Sequence, residues 1–458
     1  MFLRTPGKRL RIGLPMVEER DPAALQQEIE QLREINTLPG RWQRWRGYWK
    51  LAGPGWMQSA ITLGAGTAGS AIFAGSAYGY KLLWVQPVGI LLGVVVLAAI
   101  GYQTLVTRAR TYDVFWTKLH PLVALFWGFN VLLASIVWVF PQYSLGTAVL
   151  RDMADVAGLT LPRWLAALGI FVVVTALGWS YGSGRRRNIR AFERTLKYLV
   201  YVMILAFLAV VLKTGVDWGE LVRGFFGFHM PHDVRGVTIV LGGLGAAVGV
   251  NMTFLYPYSL LARGWGREHL GLKDFDLVVS TFLPFVVATS LVVVATANTL
   301  HVRGIEVRSA LDVAHTLEPV IGLTLARVVF SLGILSMCLT TATLEMVIAG
   351  FVLSEMFGFE LNGWRYRVAS MSANLGILGA FYALPFWLPV LTSSFNLLML
   401  PVAYIGFYLL QNRVDYLGEF VVRGLKGYVW NALLLLAVFV VALGAWVKVL
   451  TVLGAWPK

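Results

Sequence analysis

Three places in this 458-residue chain hold residue types able to bind or guide a small charged species. The first is Gly64-Ala65-Gly66-Thr67, in the middle of the apolar stretch from Gly53 to Trp84. Glycine costs about 1 kcal/mol relative to alanine inside a helix, so the stretch reads as a helix broken halfway along. A break at that depth leaves backbone groups unpaired, and they are tolerated only against protein, water or a ligand. The second place is Gly242 to Pro257, where glycines lead into Val248, Asn251, Met252 and Thr253 and a proline follows one turn later. The third is Glu345, inside the apolar run Leu339-Thr340-Thr341-Ala342-Thr343-Leu344-Glu345-Met346. An acid in such a run is expensive and commonly marks an ion or substrate route.

The substrate-binding candidates are therefore Gly64, Ala65, Gly66, Thr67, Val248, Asn251, Met252 and Thr253. Glu345, Thr341 and Asn396 form a candidate ion path, with Thr340 and Thr343 able to hydrate it. Two blander readings compete. The glycine runs would serve close helix packing, and Glu345 would be a protonated or hydrogen-bonded acid nearer the membrane edge. Asn130, Asn374 and Asn396 read first as interhelical hydrogen-bonding residues, the ion-path role of Asn396 being the weaker of its two readings. His229, His232, His301 and His315 fall in loops without Cys or carboxylates at ligand spacing, so no metal-ligand set is identified. No GxSxG, HExxH, Walker or strand-to-helix GxGxxG pattern occurs, which leaves no enzymatic site and no cofactor to expect. Cys338, the single cysteine, is a small core residue.

The elements that must position these residues are membrane helices. The chain is 57% hydrophobic and 14% charged, against about 25% charged in soluble domains. Apolar runs of about 20 residues, each able to cross a bilayer, recur eleven times. They lie near 53–78, 82–107, 121–148, 163–181, 196–213, 237–262, 277–299, 320–354, 367–382, 384–410 and 429–451. With the N-terminus in the cytoplasm, 27 of the 38 Lys and Arg fall in cytoplasmic segments and 10 outside, with Arg327 inside span 8. That asymmetry fits the positive-inside rule and predicts an integral protein of the inner or plasma membrane. It also accounts for the net charge of +14 without nucleic acid. Residues 1–50 form a polar arm with an amphipathic helix presenting Leu25, Ile29 and Leu32. A collar of Trp42, Trp45 and Trp49 among basic residues follows it. The run Arg185-Arg186-Arg187 with Arg190, Arg194 and Lys197 reads as a cytoplasmic loop facing anionic lipid.

Spans 1 and 6, both interrupted, lie five apart, which matches inverted-repeat transporters whose sites sit at discontinuous helices. At these residues the sequence resembles the Nramp metal-ion transporter family. Gly53-Pro54-Gly55 and the closing Tyr78-Gly79-Tyr80-Lys81-Leu82-Leu83-Trp84 match the ends of that family's first helix without a gap. Weaker similarity continues through Phe275-Asp276, Ala349-Gly350 and Glu355. The resemblance implies an all-α polytopic protein of LeuT-like fold, with five-helix repeats at 51–215 and 236–411 and an eleventh helix within 428–458. It also shows a departure. The family's D-P-G-N falls on Gly64-Ala65-Gly66-Thr67, and its M-P-H on Asn251-Met252-Thr253, so the Asp, Met and His are absent. Met230-Pro231-His232 lies in a loop and is a decoy. The acidic third-helix positions are neutral or apolar around Leu133, Phe140 and Tyr143. The implied activity is alternating-access transport of a divalent cation. Neutral oxygens favour a hydrated Mg2+-like ion over Mn2+ or Fe2+, without proton coupling. The alternatives are a neutral or anionic organic solute, drawn to helix N-termini at the breaks, or a non-transporting scaffold or sensor.

Overall fold

Glycine and proline punctuate the apolar runs at helix ends, where their backbone preferences suit starts and stops, and helices result wherever the runs are unbroken. A computed structural model describes residues 14, 22–52, 64–181, 186–361, 363–381 and 387–454, and the side chains of these except 65 and 186–197. The Gly53-Pro54-Gly55 end of span 1 and the arginines at 185–194 therefore lie outside the described residues or side chains. The principal helices are α1 (Pro22–Thr37), α2 (Arg41–Tyr48), α3 (Ala65–Tyr78), α4 (Val85–Thr107), α5 (Pro121–Val156), α6 (Arg163–Ser180) and α7 (Arg186–Thr214). They continue as α8 (Val234–Ala247), α9 (Val250–Ala262), α10 (Leu283–Thr296), α11 (Leu323–Phe357), α12 (Leu388–Gln411) and α13 (Gly424–Val452).

Eight of the eleven expected spans are long and apolar enough to cross a membrane among the described residues. The remaining three are α3, the apolar half of α7 at Tyr198–Thr214, and span 9. Span 9 departs from a plain helix, running as Trp364–Ser370, a 3-10 stretch Met371–Ile377 and a turn Leu378–Phe381. The cause is contact with α5: a Cβ on Gly376 or Gly379 would meet the backbone of Val139 or Phe140 at 2.7 and 2.5 Å. Span 7 is longer than expected, helical from Arg267 to His301 with π-turns at Val278–Phe282 and Ala297–His301. Arg327, expected inside span 8, sits one turn into α11 and pairs with Asp152 at 2.6 Å and Asp155 at 3.7 Å.

The two longest helices, α5 and α11, form the most extensive pairing, and α8 is wedged among α3, α4 and α12. Span 6 is consequently the most enclosed, with 94% of its apolar segment buried against 28% for α13. At one end of the bundle the N-terminal arm docks on the segment between α9 and span 7. The amphipathic face of α1 centres on Leu32 and includes an unexpected acid, Glu28, also buried. Its Oε1 accepts a 2.9 Å bond from Trp265 Nε1 and lies 3.3 Å from His269 Nε2. Trp42, Trp45 and Trp49 remain exposed, and the rings of Trp45, Tyr48 and Trp49 lie around Phe275.

Candidate functional site

Span 6 breaks at Val248-Gly249. Val248 is extended at φ −138° and ψ 111°, and Gly249, at φ −79° and ψ 159°, caps α9. Pro257 causes no break and lies within α9. The span-1 counterpart is the start of α3, whose N-cap Gly64 has φ −94° and makes no side-chain capping bond. None of these glycines needs a positive φ; what they permit is contact. A Cβ on Gly66 would lie 2.3 Å from Ser393 Oγ, one on Gly245 would lie 2.2 Å from the Ser393 carbonyl, and one on Gly249 would reach the Trp138 ring at 2.8 Å. Packing and interruption are thus two consequences of the same residues.

The junction is held together by side chains from other helices. Asn396 of α12 spans the break: its Oδ1 accepts from the Val250 N–H at 3.3 Å, and its Nδ2 donates to the Gly245 carbonyl at 2.6 Å. Both polar ends of the residue expected on an ion path are thereby engaged with backbone. The Thr67 hydroxyl lies 3.5 Å from the Ala246 carbonyl, joining the start of α3 to the end of α8. Between them is a cavity of roughly 10 Å³, lined by Gly64, Gly66, Thr67, Trp138, Gln142 and Thr341 among others. That is about the space of one water. A second, apolar cavity on the other side of α3 is lined by Ala68, Ile72, Met203, Phe207, Phe330 and Met337.

Of the three consecutive residues where span 6 resumes, Asn251 faces Glu345. Asn251 Nδ2 donates to Glu345 Oε2 and lies 3.4 Å from Ser135 Oγ of α5. Met252 belongs to the apolar core instead. Thr253 Oγ1 donates to the Val250 carbonyl at 2.6 Å and accepts from Trp127 Nε1 at 3.3 Å. On α11, Thr340 and Thr343 return their hydroxyls to the Ser336 and Leu339 carbonyls at 2.8 and 2.7 Å. Thr341 keeps its hydroxyl without a hydrogen-bond partner and lines the cavity one turn from Glu345.

Toward the arm end the site is closed by rings. Phe115 stacks on Trp127 at 4.2 Å between centroids, Trp127 meets Phe254 at 4.7 Å, and Tyr258 meets Phe351 at 5.0 Å. Beneath them Arg110 pairs with the buried Glu355, and the Tyr258 hydroxyl donates to Glu355 Oε2 at 2.7 Å. Of this layer only Glu355 was legible in the sequence, because the members come from α5, α9, α11 and the segment between α4 and α5. Among the described residues no group of three or more His, Cys, Asp or Glu is placed to hold a metal ion. Met230 and His232 lie exposed before α8, away from the junction.

A sequence model described as Natural resistance-associated macrophage protein-like matches residues 55–449. The chain belongs to the Nramp family. Among its relatives, the Divalent metal cation transporter MntH of Ralstonia nicotianae is 25% identical over 365 residues, covering 77% of this chain and 78% of that protein. The same-named protein of Brucella suis is 24% identical, covering 76% and 75%. In fold, this Nramp chain matches a mutant of the Eremococcus coleocola manganese transporter with a TM-score of 0.65 at 14% identity, over 92% and 91% of the two chains. It also matches MhsT in complex with L-phenylalanine, with a TM-score of 0.54 at 14% identity over 85% and 98%. The architecture is thus the LeuT-like inverted repeat of an integral membrane protein.

Proposed function

We propose that the chain is a secondary transporter that moves a divalent cation by alternating access. The cargo site would be the junction of Gly64, Ala65, Gly66 and Thr67 with Val248, Asn251, Met252 and Thr253, and Glu345 and Thr341 would line its path. Asn396 takes the role of shaping the break rather than touching the ion. The observation that carries this reading is a buried carboxylate and amide meeting beside the break in span 6, near the start of α3, in a chain whose relatives are named as divalent metal cation transporters. The orientation expected from the arginine and lysine distribution, N-terminus inside, goes with repeats at 51–215 and 236–411 and anionic lipid at the basic loops.

The donors at the junction are oxygens, with Met252 turned into the core. Hard oxygen donors suit Mg2+, Ca2+ or Mn2+ better than softer metals, and a site with a single carboxylate among neutral oxygens, leaving water on the ion, favours a Mg2+-like ion. A hexahydrated ion does not fit a cavity of roughly 10 Å³, so loading requires this closed arrangement to widen. Transport uncoupled from protons follows from the neutral third-helix positions.

The test is uptake of Mg2+, Mn2+ and Ca2+ into liposomes holding the purified chain, with and without a pH gradient. Saturable Mg2+ uptake indifferent to the gradient supports the whole reading. Uptake driven by the gradient removes the uncoupled part, and Mn2+ uptake that excludes Mg2+ removes the selectivity. The organic-solute reading draws on the apolar cavity beside α3. It would take over if no ion moves and an amino acid stabilises the protein.

A further inference from the structure

Relative to the family motif the junction has lost an acid, with Gly64 standing in the place of the aspartate. A different acid has arrived by another route. Glu345, on α11, is wholly buried, and its carboxylate meets Asn251 in the first turn of α9. Asn251 in turn falls on the family's methionine position. No Lys, Arg or His pairs with Glu345 among the described residues. Its Oε1, the Asn251 Oδ1 and the Thr341 Oγ1 are all buried without a hydrogen-bond partner. The three residues are 0, 1 and 3% exposed. Native proteins rarely leave buried oxygens unsatisfied, and such groups call for a missing partner.

We propose that Glu345, on span 8, is the charged ligand of the transported cation. This rests on the cation-transport reading above. Thr341 and Glu345 are four residues apart and so share one face of α11, about 6 Å apart along the axis. That column runs from the cavity at Gly64 and Thr67 down to Asn251, so a cation leaving the cavity meets the carboxylate next. As placed, the Asn251 amide offers its N–H to the carboxylate. Turning that amide over is nearly isosteric and sets Oδ1 beside Glu345 as a second donor to a bound ion. An unpaired buried carboxylate is costly, and a cation between it and the amide removes that cost. One charge with neutral oxygens also gives a weaker, wetter site than several carboxylates do, because ligand charge count tunes affinity.

Gly64 allows the reverse experiment. Its φ of −94° and position as N-cap of α3 suit an aspartate, a preferred N-cap residue. The measurements are stabilisation of the detergent-solubilised full chain by Mg2+ or Mn2+ and uptake of the same ions into liposomes. They are made on wild type, Glu345→Gln, Glu345→Asp and the double variant Gly64→Asp with Glu345→Gln. Glu345→Gln, which keeps a side chain able to bond Asn251, is expected to raise the cation concentration needed for half-stabilisation by about tenfold or more. Glu345→Asp should fall between, and the double variant should regain binding. A folded Glu345→Gln protein with wild-type cation response overturns the inference. So does a Glu345→Asp protein that is folded and as impaired as Glu345→Gln, since the charge would then not be what matters. Wild type that binds cations without moving them fails the transport reading alone. Wild type that shows neither binding nor uptake overturns both.

Discussion

Replacing Asn396 separates a residue that shapes the break from one that touches the cargo. Asn396→Leu removes the acceptor for the Val250 N–H and the donor to the Gly245 carbonyl at once, and both groups are buried in the junction. Each unsatisfied buried backbone group costs about 1–3 kcal/mol, so the variant should lose about 2–6 kcal/mol. Asn396→Asp keeps an acceptor for Val250 and loses only the donor, but it brings the Gly245 carbonyl against a carboxylate. It should destabilise by at least the single-group cost of about 1–3 kcal/mol. Lost stability is read as the midpoint of thermal unfolding in detergent, and uptake in liposomes is read beside it. A shape-holding Asn396 predicts that stability falls in both variants and that uptake falls with it. The reasoning is refuted if Asn396→Leu melts with wild type while uptake alone is lost, because that pattern belongs to a cargo ligand.

The layer beneath the site gives a second expectation. Arg110→Ala leaves the Glu355 carboxylate buried without its guanidinium, and breaking a buried pair costs about 3–5 kcal/mol; Tyr258→Phe removes one bond to Glu355 and should cost about 1.5–3 kcal/mol, the range for a bond to a charged group. The measurement is thermal unfolding, and equal effects from the two changes would contradict the pairing. At the opposite end, Asp233 caps α8 by accepting from the Gly236 N–H at 2.8 Å and also accepts from the Tyr78 hydroxyl at 2.8 Å. Partial burial pushes its carboxyl up, but the Gly236 and Tyr78 bonds and the nearby Arg235 outweigh this and hold it below its ordinary 3.8. A depressed acid stabilises the folded state above the unfolded value and ceases to do so as pH falls through the lower folded one. Asp233→Ala should therefore cost about 1 kcal/mol, as loss of a cap does, at neutral pH. The gap to wild type should close below about pH 3.8.

What could be read from the chain alone follows from which interactions are local. Helix breaks are written in runs of neighbouring residues, so the interruption at Val248-Gly249 and the start of α3 at Ala65 fell where the glycines placed them. The same runs were equally legible as packing surfaces, and the contacts of Gly66, Gly245 and Gly249 with α12 and α5 make them so. The split course of span 9 was hidden because its cause, the approach of Gly376 and Gly379 to α5, joins residues more than 200 positions apart. For the same reason Asn396 was legible as an interhelical bonding residue of span 10 without its partners being nameable. Its two bonds reach back about 150 positions to span 6. Glu345 was conspicuous as an acid in an apolar run, yet nothing in its neighbourhood named Asn251 as its partner.

That partnership bears on how the site opens. Asn251 and Thr253 lie in the first turn of α9, one bonded to Glu345 and the other to Trp127. Tyr258, further along the same helix, bonds to Glu355. One short helix therefore joins the candidate cargo site to the aromatic layer and the Arg110–Glu355 pair. On the proposed alternating access, the extended residue Val248 is where α9 would turn relative to α8, against the Asn396 bonds that bridge Gly245 and Val250. A tilt that moved both Asn251 and Tyr258 would break their bonds to Glu345 and Glu355 together. The arm contributes from outside, since Glu28 grips Trp265 and His269 immediately beyond the end of α9. The Glu28 contacts thus tie the arm to the segment that follows α9, the helix whose first turn covers the Glu345 carboxylate.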